Sequence, residues 1–304
     1  MGIQRIESVT YGVDSLTESM RFFGDLGLTL VRASPIEAVF ATLAGQKIRL
    51  QTDPDDFLPP PLEEGPTLRE VVWGVDTAEE LDTLVARLAA DREVHRTEDG
   101  VHHTVDGTGF GLGLALADDG GFTPPQPRPR NTTGDVNRVS EPLESIQRAR
   151  PIRICHVALN IPKEGREEAV GLYLDRLGFV PTDVVEPVGT FMRCSDDVEH
   201  HNFLLCHRPD RAGMNHIALE VPGFDDVVEG ANHMIERGWM ESRRLGRHTI
   251  GSNVFRFLHA PCGGRVEYAA DMDRVDDSYG PRVHETAPPH TLWTLRTSRE
   301  NRND

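Results

Sequence analysis

Apolar and polar residues follow one order four times along the chain. Each repeat opens with an alternating apolar segment typical of a β-strand, passes through a turn into an amphipathic helical stretch, and continues into short strand-like runs. The four opening segments begin at Arg5, Leu68, Arg153 and Met214. Because internal repetition indicates architecture more strongly than local propensity does, we predict an α+β protein built from four βαβββ modules.

The chain also divides at a stretch without apolar periodicity. Residues 119–150 are rich in Pro, Gly and polar side chains, which is typical of a linker. We therefore expect an N-terminal pair of modules over residues 1–118 and a C-terminal pair over residues 151–272. The tail, residues 273–304, carries Pro and aromatic residues first and polar residues last, and we predict a lid followed by a disordered end.

The net charge and the N-terminal segment indicate which partners and which location to expect. The 304 residues include 32 Lys and Arg against 49 Asp and Glu, a formal net charge of −17. Such a surface repels phosphate backbones and anionic lipid, so we expect neither nucleic acid nor membrane partners. The opening segment MGIQRIESVTYGVD has no basic region followed by an apolar run. We therefore expect a cytoplasmic protein.

Two histidines occupy matching places in the C-terminal modules. His156 lies in the first strand of the third module, and His216 lies in the first strand of the fourth. In the last strand of the fourth module, the alternation RVEYA places Glu267 and Arg265 on one face. A buried carboxylate is costly unless it is paired or metal-bound. Two imidazoles and one carboxylate with open coordination positions suit Fe(II), with Mn(II) as the alternative.

With these residues the chain resembles the type I extradiol ring-cleavage dioxygenases of the vicinal oxygen chelate superfamily. The resemblance covers the whole order of modules, and its diagnostic motifs lie between residues 153 and 268. It implies two vicinal-oxygen-chelate domains, with a metal held by His156, His216 and Glu267 in the second. It also implies cleavage of a catechol-type ring with both atoms of O2. The expected partners are a small aromatic substrate and O2, and we expect a homo-oligomer.

The same resemblance assigns roles to two further histidines. His201, in the segment HHNFLL, matches the acid/base histidine of the family. His248 matches the histidine that hydrogen-bonds the substrate oxygen on the metal. Alternation along EHHNFLL places His200 on the opposite face, as a solvated or structural residue, and we predict that His207 lies in a surface turn.

One position departs from the family pattern. Where the family has a tyrosine ten positions before the metal-binding glutamate, this chain has Phe257, preceded by Arg256. Phenylalanine cannot donate a hydrogen bond to a catecholate oxygen. We assign Arg256 and Phe257 to the floor of the substrate pocket. In the tail, Tyr279 is our candidate for the missing hydrogen bond, and Arg282 is our candidate for binding a substrate carboxylate.

Two other functions stay open at this point. The same scaffold hosts metal-dependent isomerases and lyases that use no O2, which the loss of the tyrosine at Phe257 favours. It also hosts metal-free ligand-binding or resistance proteins, which the two histidines and one glutamate argue against. In the N-terminal modules, Ser8 and Glu70 stand where the ligand histidines would be, so we expect that half to be metal-free. Substrate-dependent O2 uptake and metal content distinguish the three functions.

Overall fold

Two large β-sheets, each flanked by helices, make up most of the protein. The structure is a computed structural model. It describes residues 2–52, 55–118, 120–126, 128–146, 148–276 and 278–296. Each sheet joins two βαβββ modules, so the predicted α+β fold of four modules is confirmed.

The first two modules form an eight-stranded sheet. Their elements are β1 (Ile3–Gly12), α1 (Leu16–Asp25), β2 (Thr29–Ala33), β3 (Glu37–Ala41), β4 (Lys47–Gln51), β5 (Thr67–Val75), α2 (Ala78–Ala89), β6 (His95–Arg96), β7 (His102–Val105) and β8 (Gly111–Leu116). Ser15 and Thr77 cap the two helices, because each side-chain oxygen accepts a backbone N–H three residues later. The strand order is β2-β3-β4-β1-β5-β8-β7-β6, with β1 and β5 antiparallel at the junction of the modules.

A short hairpin, β9 (Asn131–Thr132) with β10 (Asp135–Val136), lies in the connecting segment. The third and fourth modules follow. Their elements are β11 (Arg153–Pro162), α3 (Arg166–Gly171) with a π-helical turn (Leu172–Arg176), β12 (Val180–Val185), β13 (Gly189–Arg193), β14 (Phe203–Arg208), β15 (Gly213–Glu220), α4 (Phe224–Glu236), β16 (Glu241–His248), β17 (Val254–His259) and β18 (Arg265–Ala270). The first strands of the two modules, β11 and β15, are again antiparallel neighbours.

The tail adds one strand to each edge of the second sheet. Strand β19 (Arg282–His284) pairs with β12, and strand β20 (Thr291–Thr294) pairs with β16. The sheet order is β19-β12-β13-β14-β11-β15-β18-β17-β16-β20. The segment between β19 and β20 therefore passes from one edge of the sheet to the other. The predicted disordered end falls largely on residues 297–304, outside the described residues.

Aromatic residues from both halves meet in one core. Phe22 of α1 packs edge-on against Trp239, which follows α4, with ring centroids 5.0 Å apart. Trp73 of β5 packs in the same way against Phe203 of β14 at 5.3 Å. The Tyr268 hydroxyl donates to the Leu26 carbonyl at 2.7 Å, which ties the last strand of the second sheet to the end of α1. No helix in the described part of the chain is long and apolar enough to cross a membrane.

Candidate active site

Three adjacent strands bring the predicted metal ligands together. Strand register places His156 beside Ala218 and Ala218 beside Glu267, and His216 precedes Ala218 by two residues on the same face. The two histidine Nε2 atoms are 3.0 Å apart, and they lie 3.2 Å and 3.3 Å from Glu267 Oε2. The three side chains offer ligand atoms that all lie within 4.8 Å of one another.

The donor set fits a divalent metal ion. Glu267 is completely buried, and its Oε1 accepts a hydrogen bond from Asn253 Nδ2 at 2.8 Å, while Oε2 has no hydrogen-bond donor among the residues that the structure describes. Burial lowers the pKa of both His156 and His216 to about 3, so both rings are neutral at neutral pH. His216 Nδ1 lies 2.9 Å from Asn215 Oδ1, which can only accept, so the lone pair is on Nε2. A buried carboxylate oxygen beside two neutral imidazoles is a three-ligand site of the type that binds Fe(II) or Mn(II).

A cavity of about 310 Å³ opens next to these ligands. His156 and His216 form part of its wall, together with His201, His248 and Phe257. Its other side is formed by tail residues 287–290, in the segment that passes between the two edges of the sheet. The tail therefore covers the ligand side of the sheet.

His201 lies beside the ligands and faces the cavity. Its ring centroid is 4.6 Å from that of His156, and it meets the edge of Phe191 at 5.1 Å. Burial, reinforced by the neighbouring histidines, holds the pKa of His201 well below its usual value. His200 is 1 % exposed, so the solvated alternative predicted for it is wrong. His200 points away from the cavity and contacts His201 through the two Nδ1 atoms at 3.0 Å.

His248 and Phe257 line the cavity on the other side of the ligands. His248 Nε2 is 3.8 Å from Glu267 Oε1, and its ring stacks on Phe255 with centroids 4.0 Å apart. Burial lowers the pKa of His248 to about 4. Phe257 meets His216 edge-on at 5.1 Å. Both residues are therefore within reach of a molecule held at the ligands.

Three residues assigned to substrate binding lie outside the cavity. Arg256 and Phe257 alternate along β17, so Arg256 points to the helix side, where its Nε donates to Glu241 at 2.8 Å. The Tyr279 hydroxyl donates to Asp183 at 2.9 Å, behind His200. Arg282 is exposed and stacks on the Tyr279 ring at 4.6 Å. The assignments of Arg256, Tyr279 and Arg282 to substrate binding are therefore wrong.

Three arginines that were not predicted from the sequence also line the cavity: Arg208, Arg243 and Arg265. Arg243 and Arg265 flank Phe257, each with its guanidinium carbon 5.4 Å from the ring centroid. Burial lowers the pKa of both, and in Arg265 the charge of Arg243 adds to the effect. None of the three has a carboxylate within ion-pair distance among the residues that the structure describes. Arg265 could have been predicted from the sequence, because strand alternation places it on the same face as Glu267.

One other histidine, His207, also differs from expectation, and a further buried histidine lies in the first sheet. His207, predicted in a surface turn, is 5 % exposed inside β14, where its Nδ1 is 3.2 Å from the Glu186 carbonyl. His103 of β7 is buried and pairs with Glu70 at 2.6 Å. In the first sheet Glu70 occupies the place that His216 has in the second, and register puts Gly113 where Glu267 would be. The N-terminal sheet thus carries a carboxylate–imidazole pair at this place.

The C-terminal modules match a known family. Residues 153–268 match the model of the Glyoxalase/Bleomycin resistance protein/Dioxygenase superfamily. This part of the chain is therefore similar in sequence to that superfamily. The match includes all three candidate ligands and both cavity histidines, His201 and His248.

Individual relatives cover either part of the chain or its whole fold. Metapyrocatechase 2 of Cupriavidus necator is 34% identical over 130 residues, which are 43% of this chain and 40% of that protein, so the chain spans less than half of this relative's length. The Mn(II)-bound glyoxalase from Novosphingobium aromaticivorans superposes with a TM-score of 0.72 at 20% identity, covering 98% of this chain and 99% of the other. BphC, a halotolerant catechol dioxygenase, gives 0.73 at 18% identity over 99% and 96%. At these identities the two structures establish the shared fold.

Proposed function

We propose that this protein is a metal-dependent extradiol dioxygenase, which opens a catechol-type ring with O2 and places both oxygen atoms in the product. One observation carries the proposal. His156, His216 and Glu267 present donor atoms 3.0–3.3 Å apart at the wall of a cavity that also contains His201 and His248. The similarity to Metapyrocatechase 2 and to a catechol dioxygenase supports the same reaction class.

We propose Fe(II) as the resident metal, with Mn(II) as the alternative. When bound, the ion would supply Lewis-acid chemistry toward the substrate oxygens and O2. His156 and His216 contribute neutral imidazole nitrogens, and Glu267 contributes one carboxylate oxygen. Hydrogen bonds from Asn253 to Glu267 and from His216 to Asn215 hold two of the three ligands in orientation.

The cavity histidines have separate tasks in this proposal. His201 is the general acid/base, which accepts a proton from a substrate hydroxyl and returns it as the ring opens. Its low pKa favours the neutral form that the first of these steps needs. His248 holds a substrate oxygen by hydrogen bonding. Phe257 contributes an apolar surface to the same cavity, beside Arg243 and Arg265.

The arginines define the substrate further. Arg243 and Arg265 lie on either side of Phe257, one ring away from His216, and neither guanidinium has a carboxylate within ion-pair distance in the described part of the chain. Half-buried cations without a carboxylate partner are unfavourable, and an anionic substrate group would compensate them. We therefore propose a catechol that carries a carboxylate on the side of the ring away from the two hydroxyls.

Oxygen consumption on defined substrates tests the function. Protein purified without oxygen and loaded with Fe(II) is mixed with catechols, each compared with its carboxylated counterpart, in an oxygen electrode. We expect one O2 consumed per substrate and a coloured, muconic-semialdehyde-type product, with the carboxylated member of each pair preferred. The same protein carrying Glu267→Gln, loaded identically, is the control and should consume no O2.

The other functions predict different results. Substrate turnover by the metal-loaded protein without O2 consumption would replace the dioxygenase with an isomerase or lyase. Substrate binding by a protein that takes up neither Fe(II) nor Mn(II) would identify a metal-free binding protein. A homo-oligomeric assembly and a cytoplasmic location stay predictions from the sequence.

A further inference from the structure

A buried chain of polar side chains runs from His201 away from the cavity. His201 Nδ1 is 3.0 Å from His200 Nδ1, and His200 Nε2 is 2.6 Å from Asp183 Oδ2. Asp183, His200 and His201 are 2 %, 1 % and 3 % exposed. Of these three residues only His201 lines the cavity, and Asp183 and His200 are not among the candidate metal ligands.

The surrounding structure holds the chain in place from two sides. Gly251 lies against the His200–His201 contact with φ +78, and a Cβ there would come within 3.1 Å of the His201 ring and 3.4 Å of His200 Nδ1. The backbone N–H of His200 donates to the Asp273 carbonyl at 2.9 Å. A side chain at position 251 would therefore crowd both rings, and the backbone of His200 is bonded to that of Asp273.

The tail completes the environment of Asp183. The Tyr279 hydroxyl donates to Asp183 Oδ2 at 2.9 Å, and His284 Nε2 is 2.5 Å from Oδ1. Although burial opposes ionisation, the hydrogen bonds from His200, His284 and Tyr279 keep the pKa of Asp183 below its usual value. Asp183 is therefore an ionised carboxylate, which can only accept hydrogen bonds.

The direction of each hydrogen bond follows from that carboxylate. His200 donates its Nε2–H to Asp183 at 2.6 Å, and in the neutral form of His200 the lone pair is then on Nδ1. That lone pair accepts the Nδ1–H of His201. The remaining nitrogen of His201, Nε2, is then unprotonated and free to accept a proton on the cavity side.

We propose that Asp183 and His200 are positioning residues, which fix the tautomer and ring orientation of His201 so that Nε2 is presented as a base. The proposal rests on the proposed function only for the role of His201 in turnover. The tautomer itself is a property of the folded protein without metal or substrate. Its test therefore separates the two proposals.

The first experiment reads the tautomer directly. Metal-free protein with nitrogen-labelled histidines is examined by long-range proton–nitrogen NMR at about pH 8, where unperturbed imidazoles are neutral. His201→Asn identifies the His201 signals. We expect the proton on Nδ1 in the wild type and a redistribution toward Nε2 in Asp183→Asn. A wild-type His201 with its proton on Nε2 would overturn the proposal, and so would an unchanged tautomer in Asp183→Asn.

The second experiment separates positioning from stability. Asp183→Asn and His200→Phe should each lower kcat by about 10- to 100-fold with KM and metal content unchanged, and the double variant should lose little more than either single one. Asp183→Glu keeps the carboxylate and should recover part of kcat. The matched control is Glu70→Gln, because Glu70 makes an equally short buried pair, 2.6 Å, with His103 in the other sheet.

The control variant should lose thermal stability as Asp183→Asn does but keep kcat. Equal loss of kcat in Glu70→Gln and Asp183→Asn would show that Asp183 has only a structural role. If no substrate is turned over by the wild type, the proposed function fails, whereas the NMR result still supports or overturns the tautomer.

Discussion

Replacing Arg243 by methionine tests how the cavity selects its substrate. The substitution keeps the apolar stem of the side chain and removes the guanidinium, which contacts His290 Nε2 at 2.8 Å. Arg265 is a less suitable target. It also contacts Asn215, which orients the ligand His216, so its removal would disturb the metal site as well.

The expected size of the effect follows from charge and burial. A carboxylate about 4 Å from a half-buried guanidinium gains at most about 4 kcal/mol from direct attraction at an effective dielectric constant of about 20. Part of this offsets the removal of water from the carboxylate, which leaves about 1.5–3 kcal/mol for a charged hydrogen bond. Since about 1.4 kcal/mol is a tenfold change, kcat/KM for the carboxylated catechol should fall by about 10- to 150-fold in Arg243→Met. For the uncharged catechol it should change by less than about threefold, because no charge is lost from that contact.

The assay compares kcat/KM for the two substrates in three proteins loaded with the same metal. Arg282→Met is the matched control, since Arg282 is an exposed arginine of the tail that stacks on Tyr279 outside the cavity. Arg282→Met should leave kcat/KM unchanged for both substrates. The reasoning is refuted if Arg243→Met lowers kcat/KM equally for both substrates, or if Arg282→Met reproduces the loss of preference.

Four further outcomes follow from the site and its supports. Glu267→Gln should weaken Fe(II) binding at least about tenfold, measured as metal retained after desalting, and stoichiometric retention would contradict the ligand assignment. His201→Asn should bind metal and substrate but lose about 100-fold or more in kcat, and wild-type turnover would remove it from the mechanism. Arg256→Leu should lower the free energy of unfolding by about 2 kcal/mol in urea with an unchanged kcat/KM, because Arg256 bonds Glu241 on the helix side. Ending the chain after His284 removes the cavity wall at residues 287–290, so KM should rise while metal content holds, and an unchanged KM would exclude the tail from the site.

Repetition made the fold and the metal ligands predictable. In each module the pattern of apolar and polar residues reflects the order of strands and helix, so four similar stretches predict four modules. His156 and His216 fall at the same point of two modules, and modules that repeat in sequence pair symmetrically in space. Glu267 could be predicted as the third ligand because a buried carboxylate is unfavourable unless it is paired or bound to a metal.

Residues outside that repetition were harder to place. Arg256 and Phe257 are consecutive on β17, and only one of them can face the cavity, so strand alternation applied strictly would have excluded Arg256. His200 was correctly placed on the face opposite to His201. Its partner Asp183 comes from a strand whose position beside the HHNFLL segment depends on tertiary packing.

The tail shows the limit of local patterning most clearly. Strands β19 and β20 are three and four residues long, and each is stabilised by pairing with an edge of the C-terminal sheet. Nothing in such short segments indicates which edge they join. The prediction placed Tyr279 at the cavity because the tail was expected to form a lid, whereas the pairing of β19 places it behind His200, against Asp183.

The central claim is that O2 itself is a substrate and that both of its atoms enter the opened ring. Turnover of the preferred carboxylated catechol by the Fe(II)-loaded protein under isotopically heavy O2, followed by mass spectrometry of the product, tests it most directly. We predict two heavy oxygen atoms in each product molecule and none when the label is supplied as water, apart from slow exchange at the aldehyde. A product formed without heavy oxygen from O2, at the same rate with and without O2, would contradict a dioxygenase.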